Sequence, residues 1–284
     1  MIFENWELLG GFLQFSFWGL VKWTLGVTFI TILSVTIYLH RHIAHKGVDL
    51  TSWLKHFFRF WLWFTTGMNT KEWGAIHRKH HAKVDAKGDP HSPVVFRIET
   101  PPQWVMWIFG GGVYYYVLAG RDKASLEEYT HGMPDDWIER NLYTPYPFLG
   151  VGVLLGIINV TLFGLPGLLV WGVQAMWIPV LAAGVINGLG HGFGYCNYKH
   201  GKEFPNVAFS TNISPWGILI GGEELHNNHH ADAASPKFSH KWWEIDVGWM
   251  CIQILCLLRL AKLRKPLIAK NTFQRIYYKV VNLA

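Results

Sequence analysis

The sequence predicts an all-α integral membrane protein: apolar helices form a stem, and a helical cap sits on one face of the bilayer. Three observations predict it. Of the 284 residues, 50% are hydrophobic and 15% charged, and the apolar ones come in long uncharged blocks without the periodicity of an amphipathic soluble core. Aromatic residues are abundant, 16 Trp and 18 Phe, as in chains whose helices end at a membrane–water interface. Polar segments rich in histidine begin where the apolar blocks stop. The chain reads as a single domain, 1–284, with the stem at about 8–39 and 147–190 and the cap at about 40–146 and 191–284.

Trp23–Leu39 carries no charge, and Gly10–Val21 before it is mostly apolar. A spanning helix needs about 20 residues, so this region supplies one long span preceded by an interfacial helix; a tight hairpin of two short spans is the competing reading. Thr51–Met68 looks apolar but contains Lys55, His56 and Arg59. Charges at mid-bilayer cost several kcal/mol, which predicts a helix lying in the interface and keeps residues 40–45 and 77–81 on one face. Ala82–Pro93 is a polar loop punctuated by Gly88, Pro90 and Pro93. Pro101–Gly120 is aromatic but broken at Gly110–Gly112, and Arg121–Asn141 is charged, so 77 to about 143 belongs to the cytosolic cap. Pro147–Leu165 and Gly167–Gly190 hold no charged residue and flank Pro166, enough for a crossing out and back. Phe193–Ser214 reads as a loop, and Trp242–Leu260 as a docked or interfacial helix.

Charge and cysteine content narrow the function classes. The net charge is +6, but the basic residues form no nucleic-acid stripe or motif. Seven Lys and Arg fall between Arg259 and Lys279, after the last apolar block, as expected of a cytoplasmic tail facing the membrane. Cys196, Cys251 and Cys256 form no CxxC and are expected to be free thiols. Glu4 and Glu7 stand where a secretory signal would be basic, so no cleaved leader is expected. No repeat, low-complexity linker or second domain is visible.

Nine of the fifteen histidines sit in four short motifs. His77, His80 and His81 fall at i, i+3 and i+4, one face of a helix, and His226, His229 and His230 repeat that spacing. His40…His45 and Asn187…His191 complete the set. His40 and His45 share a site if the helix unwinds between them, whereas His42 points elsewhere. Neutral imidazole suits iron, copper, zinc and nickel, and this many ligands exceeds what one ion accepts, so two metals are expected. Asp85 and Asp89 are candidate acceptors for ligand ring N–H groups, with a solvated turn as the alternative. Glu223 and Glu224 are candidates of the same kind, with solvated helix-start acids as the alternative. Imidazoles without thiolates do not fit cysteine-based structural zinc. Beside a membrane, they suggest an oxidant acting on a lipid chain.

The order HRxxxH, HRxHH, NxxxH, HNxHH resembles the membrane fatty acid desaturases of acyl-CoA (stearoyl-CoA, delta-9) type. Glu72–Trp73 before the second box, Asp89–Pro90–His91 after it, Gly194–Tyr195 and Gly222–Glu223 also match that family. The likeness runs from about Leu20 to Arg264. It implies about four transmembrane helices, a cytosolic cap and an all-histidine di-iron centre. Carried onto this sequence, the implied ligands are His40, His45, His77, His80, His81, His191, His226, His229 and His230, with Asn187 reaching one iron through water. The implied reaction uses O₂ and two electrons to place a cis double bond, whose position is set by a bent tunnel that holds the acyl chain. Trp73 is a candidate wall of that tunnel, with packing as the competing reading. The family carries two spans before its first box, where this chain has room for barely one, and Glu224 replaces a small residue. No haem, flavin or ferredoxin segment is evident, so electrons are expected from a separate ferredoxin, rubredoxin or cytochrome-type donor and its reductase. The expected setting is the bacterial inner membrane, with the site on its cytoplasmic side. An all-histidine di-iron lipid hydroxylase is the runner-up. A metal carrier or sensor fits less well, because its ligands belong near mid-membrane.

Overall fold

The computed structural model describes residues 10–264; Glu4, Glu7 and the basic residues Lys265, Lys270, Arg275 and Lys279 lie outside the described residues. The longest element is α1, Phe17–Ala44, one unbroken helix of 28 residues. The region holds the one long span expected, with no hairpin turn, but no separate interfacial helix precedes it among the described residues: 10–16 are non-helical and 17–21 are the first turns of α1 itself. Ser16 caps it by accepting from the Gly19 N–H. Within the apolar stretch, the hydroxyls of Thr24, Thr28, Thr31 and Ser34 donate to carbonyls four residues back, which satisfies them inside the helix. Over Ser34–Ala44 the helix widens into π geometry, and every residue of that stretch is buried.

Two further apolar helices follow in mid-chain. α5, Leu149–Phe163, turns at Gly164 into α6, Pro166–Leu189, whose proline occupies the first turn, where no N–H is required. The Asn159 amide donates to Gln174 across the pair at 3.0 Å. α1 and α6 are long and apolar enough to cross a membrane. α5, 15 residues and about 22 Å long, falls short of a hydrocarbon core of about 30 Å. A four-span stem is thus not found among the described residues.

Between these helices lie α2 (Ser52–Thr66), α3 (Thr70–Lys83) and α4 (101–121). Arg59 on α2 is buried, paired with both Asp136 and Glu139, so its charge is met by carboxylates of the 130s segment. The glycines 110–112 do not interrupt α4; a π turn at Trp107–Gly111 carries the helix through them. After α6 come a long loop, the short α7 (His226–Ala231) and α8 (Val247–Leu257). The last begins later than the apolar pattern suggests, because the Asp246 carboxylate caps it, accepting from the Trp249 N–H at 2.8 Å. Strand content is slight: β1 (Val48–Leu50) pairs antiparallel with β4 (Ala261–Leu263), and β2 (Trp216–Gly217) runs parallel to β3 (Ile245–Asp246).

The main core gathers Ile37, Tyr38 and Leu39 from α1, Leu54, Phe58 and Leu62 from α2, and Trp249, Ile252 and Cys256 from α8. This packing surrounds the π segment of α1, so the end of the candidate span is enclosed by the cap elements. It is here that the histidines meet.

Candidate metal centre

The π geometry of α1 explains the unusual spacing of its histidines. In an α-helix residues five apart are about 140° out of phase. A π-type bond from the His45 N–H to the His40 carbonyl, 3.1 Å, instead closes one turn between them and puts both on the same face. The helix does not unwind, as the sequence suggested it must; it changes its hydrogen-bond register. His42 leaves the cluster, its Nδ1 donating to the Val48 carbonyl at 2.8 Å.

α3 supplies the second group. The Asn69 side chain caps it by accepting from the Glu72 N–H at 2.8 Å, and α-helical spacing aligns His77, His80 and His81. α7 supplies the third, anchored by the two asparagines between its histidines. The Asn228 amide donates to the Phe238 carbonyl and the Glu244 carboxylate, both at 2.9 Å, and the Asn227 oxygen accepts from the backbone N–H groups of Asn197 and Tyr198. His191 comes from the loop just past α6.

These residues converge on two adjacent groups. His40, His45, His77, His81 and His229 form one, and His80, His191, His226 and His230 the other; in each, the candidate ligand nitrogens lie within 4.8 Å of one another. All nine histidines expected as ligands are brought together. His45 and His81 are half-buried, whereas the four-histidine group is wholly buried. Burial first, and neighbouring imidazoles next, hold His45, His77, His81, His226, His229 and His230 well below the ordinary histidine pKa.

The predicted carboxylates are acceptors behind the rings. Glu223 meets His40 Nδ1 at 2.5 Å, Asp89 meets His80 Nδ1 at 2.9 Å, and Asp85 meets His191 Nδ1 at 2.9 Å. Burial alone would raise these three carboxyls. The histidine partners, with Arg41 beside Glu223, outweigh it and hold each below the usual range. Glu224 plays another part: its carboxylate accepts from the backbone N–H groups of Ile220 and Gly222 and shapes the turn before α7.

A cation fits the donor set. A carboxylate or carbonyl can only accept, so His40, His80, His191 and His230 carry their proton on Nδ1, the last toward the Asn206 carbonyl at 3.1 Å. Their Nε2 lone pairs then point inward, and those of His80 and His230 confront each other at 3.4 Å. Two lone pairs at that distance repel unless a positive charge lies between them. Nitrogens bonded at about 2.1 Å to one ion and set about 90–110° apart are about 3.0–3.4 Å from each other. The Nε2 separations are 3.0 Å for His40–His229, 2.9 Å for His45–His77, 3.0 Å for His229–His81, 3.0 Å for His226–His191 and 3.1 Å for His230–His226.

Other expected residues fall nearby. Trp73 stacks on His77, ring centroids 4.8 Å apart and 8° from parallel. Asn187, half-buried one turn before His191, makes no side-chain hydrogen bond among the described residues. Cys196, Cys251 and Cys256 are free thiols.

Sequence reasoning passed over two participants. Arg41 is buried to 1% exposure; it bonds to Thr36 and to Asp246 (2.9 Å), lies 3.4 Å from Glu223 and stacks over Phe238 at 3.7 Å. Phe238 in turn packs on His40 and His229. Arg41 thus fixes both the acceptor and the wall of the five-histidine group. A fixed charge directly following a long apolar run and flanked by His40 and His42 was the available signal, since once buried it requires a counter-charge. His91 stacks on His80 at 4.4 Å, and burial lowers its pKa to about 3, leaving a neutral ring that packs His80 in place.

Comparison with known proteins identifies the family. A family model described as fatty acid desaturase matches residues 16–245. The sn-1 stearoyl-lipid 9-desaturase of Synechocystis sp. is 30% identical over 235 residues, 81% of this chain and 66% of that protein, so the chain spans about two thirds of that relative's length. The protein of the same name from Anabaena variabilis is 29% identical over 81% of this chain and 77% of its own. Delta-9 acyl-lipid desaturase 1 of Arabidopsis thaliana is 29% identical over 86% of this chain and 74% of its own.

Proposed function

Because the chain belongs to the fatty acid desaturase family, we propose that it is a membrane-bound oxidoreductase that introduces a cis double bond at the delta-9 position of a long-chain acyl group. The observation that carries this reading is the pair of histidine groups, five and four, with one carboxylate orienting a ring of the first and two orienting rings of the second. Two iron ions are the metals this reading assigns, the first to His40, His45, His77, His81 and His229, the second to His80, His191, His226 and His230 with Asn187 through water. Bound iron supplies the O₂-dependent redox chemistry needed to attack an unactivated methylene.

The chain's own residues do the rest. Glu223, Asp85 and Asp89 hold the Nδ1 protons of His40, His191 and His80, so each Nε2 stays a lone-pair donor aimed inward. Burial keeps bulk water from the reacting carbons. Trp73, flat against His77, offers an apolar surface on which the acyl chain lies beside the five-histidine group. The overall balance is one acyl CH₂–CH₂ unit, one O₂, two electrons and two protons giving a CH=CH unit and two waters. The electrons come from a separate ferredoxin, rubredoxin or cytochrome-type protein and its reductase. The names of the relatives favour a glycerolipid-borne chain over the CoA thioester expected from the motifs. In this reading α1 and α6 cross the membrane of a bacterial cell, the shorter apolar α5 with the residues flanking it takes the chain to the far side before α6 returns it, and the metal-bearing end faces the cytoplasm.

Expression in a host lacking unsaturated fatty acids, followed by mass spectrometry of its lipids, tests the proposal. A product lighter by two hydrogens, absent when His229 is replaced by Ala, is expected. A product heavier by one oxygen would make the enzyme the related hydroxylase. Separate assays with acyl-CoA and with glycerolipid vesicles identify the carrier.

A further inference from the structure

We propose that α4 is a lipid-embedded helix that enters and leaves the membrane on the same side, its outer face resting in the acyl region of the leaflet. The proposal rests on the reading that α6 crosses a bilayer, and four observations support it. From Pro101 to Gly120 there is no charged residue, while Arg97 and Glu99 precede the helix and Arg121, Asp122 and Lys123 end it. Its outward stripe is apolar: Val105, Met106, Phe109, Tyr114, Val117 and Leu118 are 37–72% exposed. A cap helix in water has the opposite pattern, and an exposed apolar stripe of this size marks a surface that something apolar covers.

The inner side of α4 shows what that something is. It docks on α6 by glycine contacts so close that a Cβ on Gly184 would lie 2.2 Å from the Ile108 carbonyl oxygen. One on Gly112 would lie 2.5 Å from that of Ala183, and one on Gly188 2.7 Å from the Trp107 ring. Gly184 and Gly188 have the small-xxx-small spacing by which helices associate within lipid. The outward residues of α6, among them Leu168, Leu169 and Met176, are exposed and apolar too. The surface of α4 therefore continues that of a candidate span, and the bilayer is the occupant that covers both.

Length alone would allow α4, about 30 Å, to cross. Its tethers forbid it. At its start, Trp104 packs on Phe193, two residues past His191, ring centroids 5.0 Å apart; at its end, Gly120 abuts Glu72 of α3, and just beyond it Arg78 of α3 donates to the carbonyls of Tyr129 (3.0 Å) and His131 (2.7 Å). Both ends thus stay at the histidine-bearing face, so the helix lies in the leaflet, as interfacial helices do with an apolar face sunk about 5–10 Å.

The test uses the full chain in lipid nanodiscs, with Cys196, Cys251 and Cys256 replaced by Ser and single cysteines at Phe109→Cys, Leu169→Cys or Glu128→Cys carrying bimane. Nitroxide lipids, labelled on the acyl chain or the headgroup, serve as quenchers. The Phe109→Cys probe is expected to be quenched by acyl nitroxide to within about twofold of the Leu169→Cys probe on α6, while Glu128→Cys on the charged segment stays bright. If Phe109→Cys behaves like Glu128→Cys while Leu169→Cys is quenched, the proposal is wrong and the membrane reading stands. Shielding of Phe109→Cys from both lipid and aqueous quenchers would also overturn it, pointing to a protein partner. If Leu169→Cys itself escapes quenching, the membrane reading of α6 fails and takes the proposal with it.

Discussion

Replacing Glu223 by Gln separates the two histidine groups. The carboxylate is 6% exposed and 2.5 Å from His40 Nδ1, and its other oxygen faces Thr36 and Arg41. The amide still offers an oxygen to His40 but removes the charge that makes the ring a better donor. It also leaves Arg41 with Asp246 as its one remaining carboxylate. Changes behind a metal-ligating histidine lower affinity about 10–100-fold, or about 1.4–2.7 kcal/mol. Glu223 touches no ring of the four-histidine group, so the loss belongs to the other group. On the two-iron reading proposed above, titrating purified protein against a chelator and counting iron per chain should show stoichiometry falling from two ions toward one. Asp89→Asn should do the mirror experiment, weakening the group that contains His80. The reasoning is refuted if Glu223→Gln weakens both groups equally or leaves both at wild-type affinity.

The remaining predictions test other layers of the structure. His229→Ala removes a ligand from the five-histidine group and should abolish desaturated product while the protein still fractionates with membranes, as lipid analysis and immunoblotting will show. Gly184→Ala forces a methyl against the Ile108 carbonyl and should destabilise by about 1–3 kcal/mol, read as a lower melting temperature in detergent. Gly172→Ala, with open space around it, should be neutral by the same measurement. His91 stays neutral in the fold down to about pH 3, whereas in the unfolded chain it gains a proton near 6.5. The unfolded state therefore binds more protons between those values, and stability is lost as pH falls through 6.5. The loss is about 1.4 kcal/mol per pH unit for each such imidazole, and denaturant melts of metal-free protein at pH 7.5 and 5.5 should reveal it.

The histidines were legible because residue type and spacing along one helix are local properties. So were the carboxylates: Asp85, Asp89 and Glu223 lie a few residues from histidine boxes, even though Asp85 proved to serve the distant His191. The partition into five and four was not legible, since it depends on which way α3 faces: His77 and His81 turn to one group and His80 to the other. Arg41 was overlooked because its partners, Glu223 and Asp246, are some two hundred residues away in sequence. The glycines of α4 were misread for a different reason. Glycine usually signals a break, but here Gly112 marks a contact with α6 while Gly110 faces open space, and nothing in the local sequence distinguishes these uses from a break. The stem was the least legible part, because an apolar block reports burial in lipid and burial in protein alike.

The π turn at the end of α1 means that histidine spacing records backbone geometry. The triplets on α3 and α7 are written for a ladder of i to i+4 bonds, whereas the pair His40 and His45 is written for i to i+5. Deleting one residue between them would leave both imidazoles in the chain but let the helix relax to the commoner ladder, swinging the approach of the loop at Lys46 and Gly47. A five-residue interval at a helix end, wherever it separates two ligands, is therefore a sign that the coil has been loosened by one residue to bring them abreast.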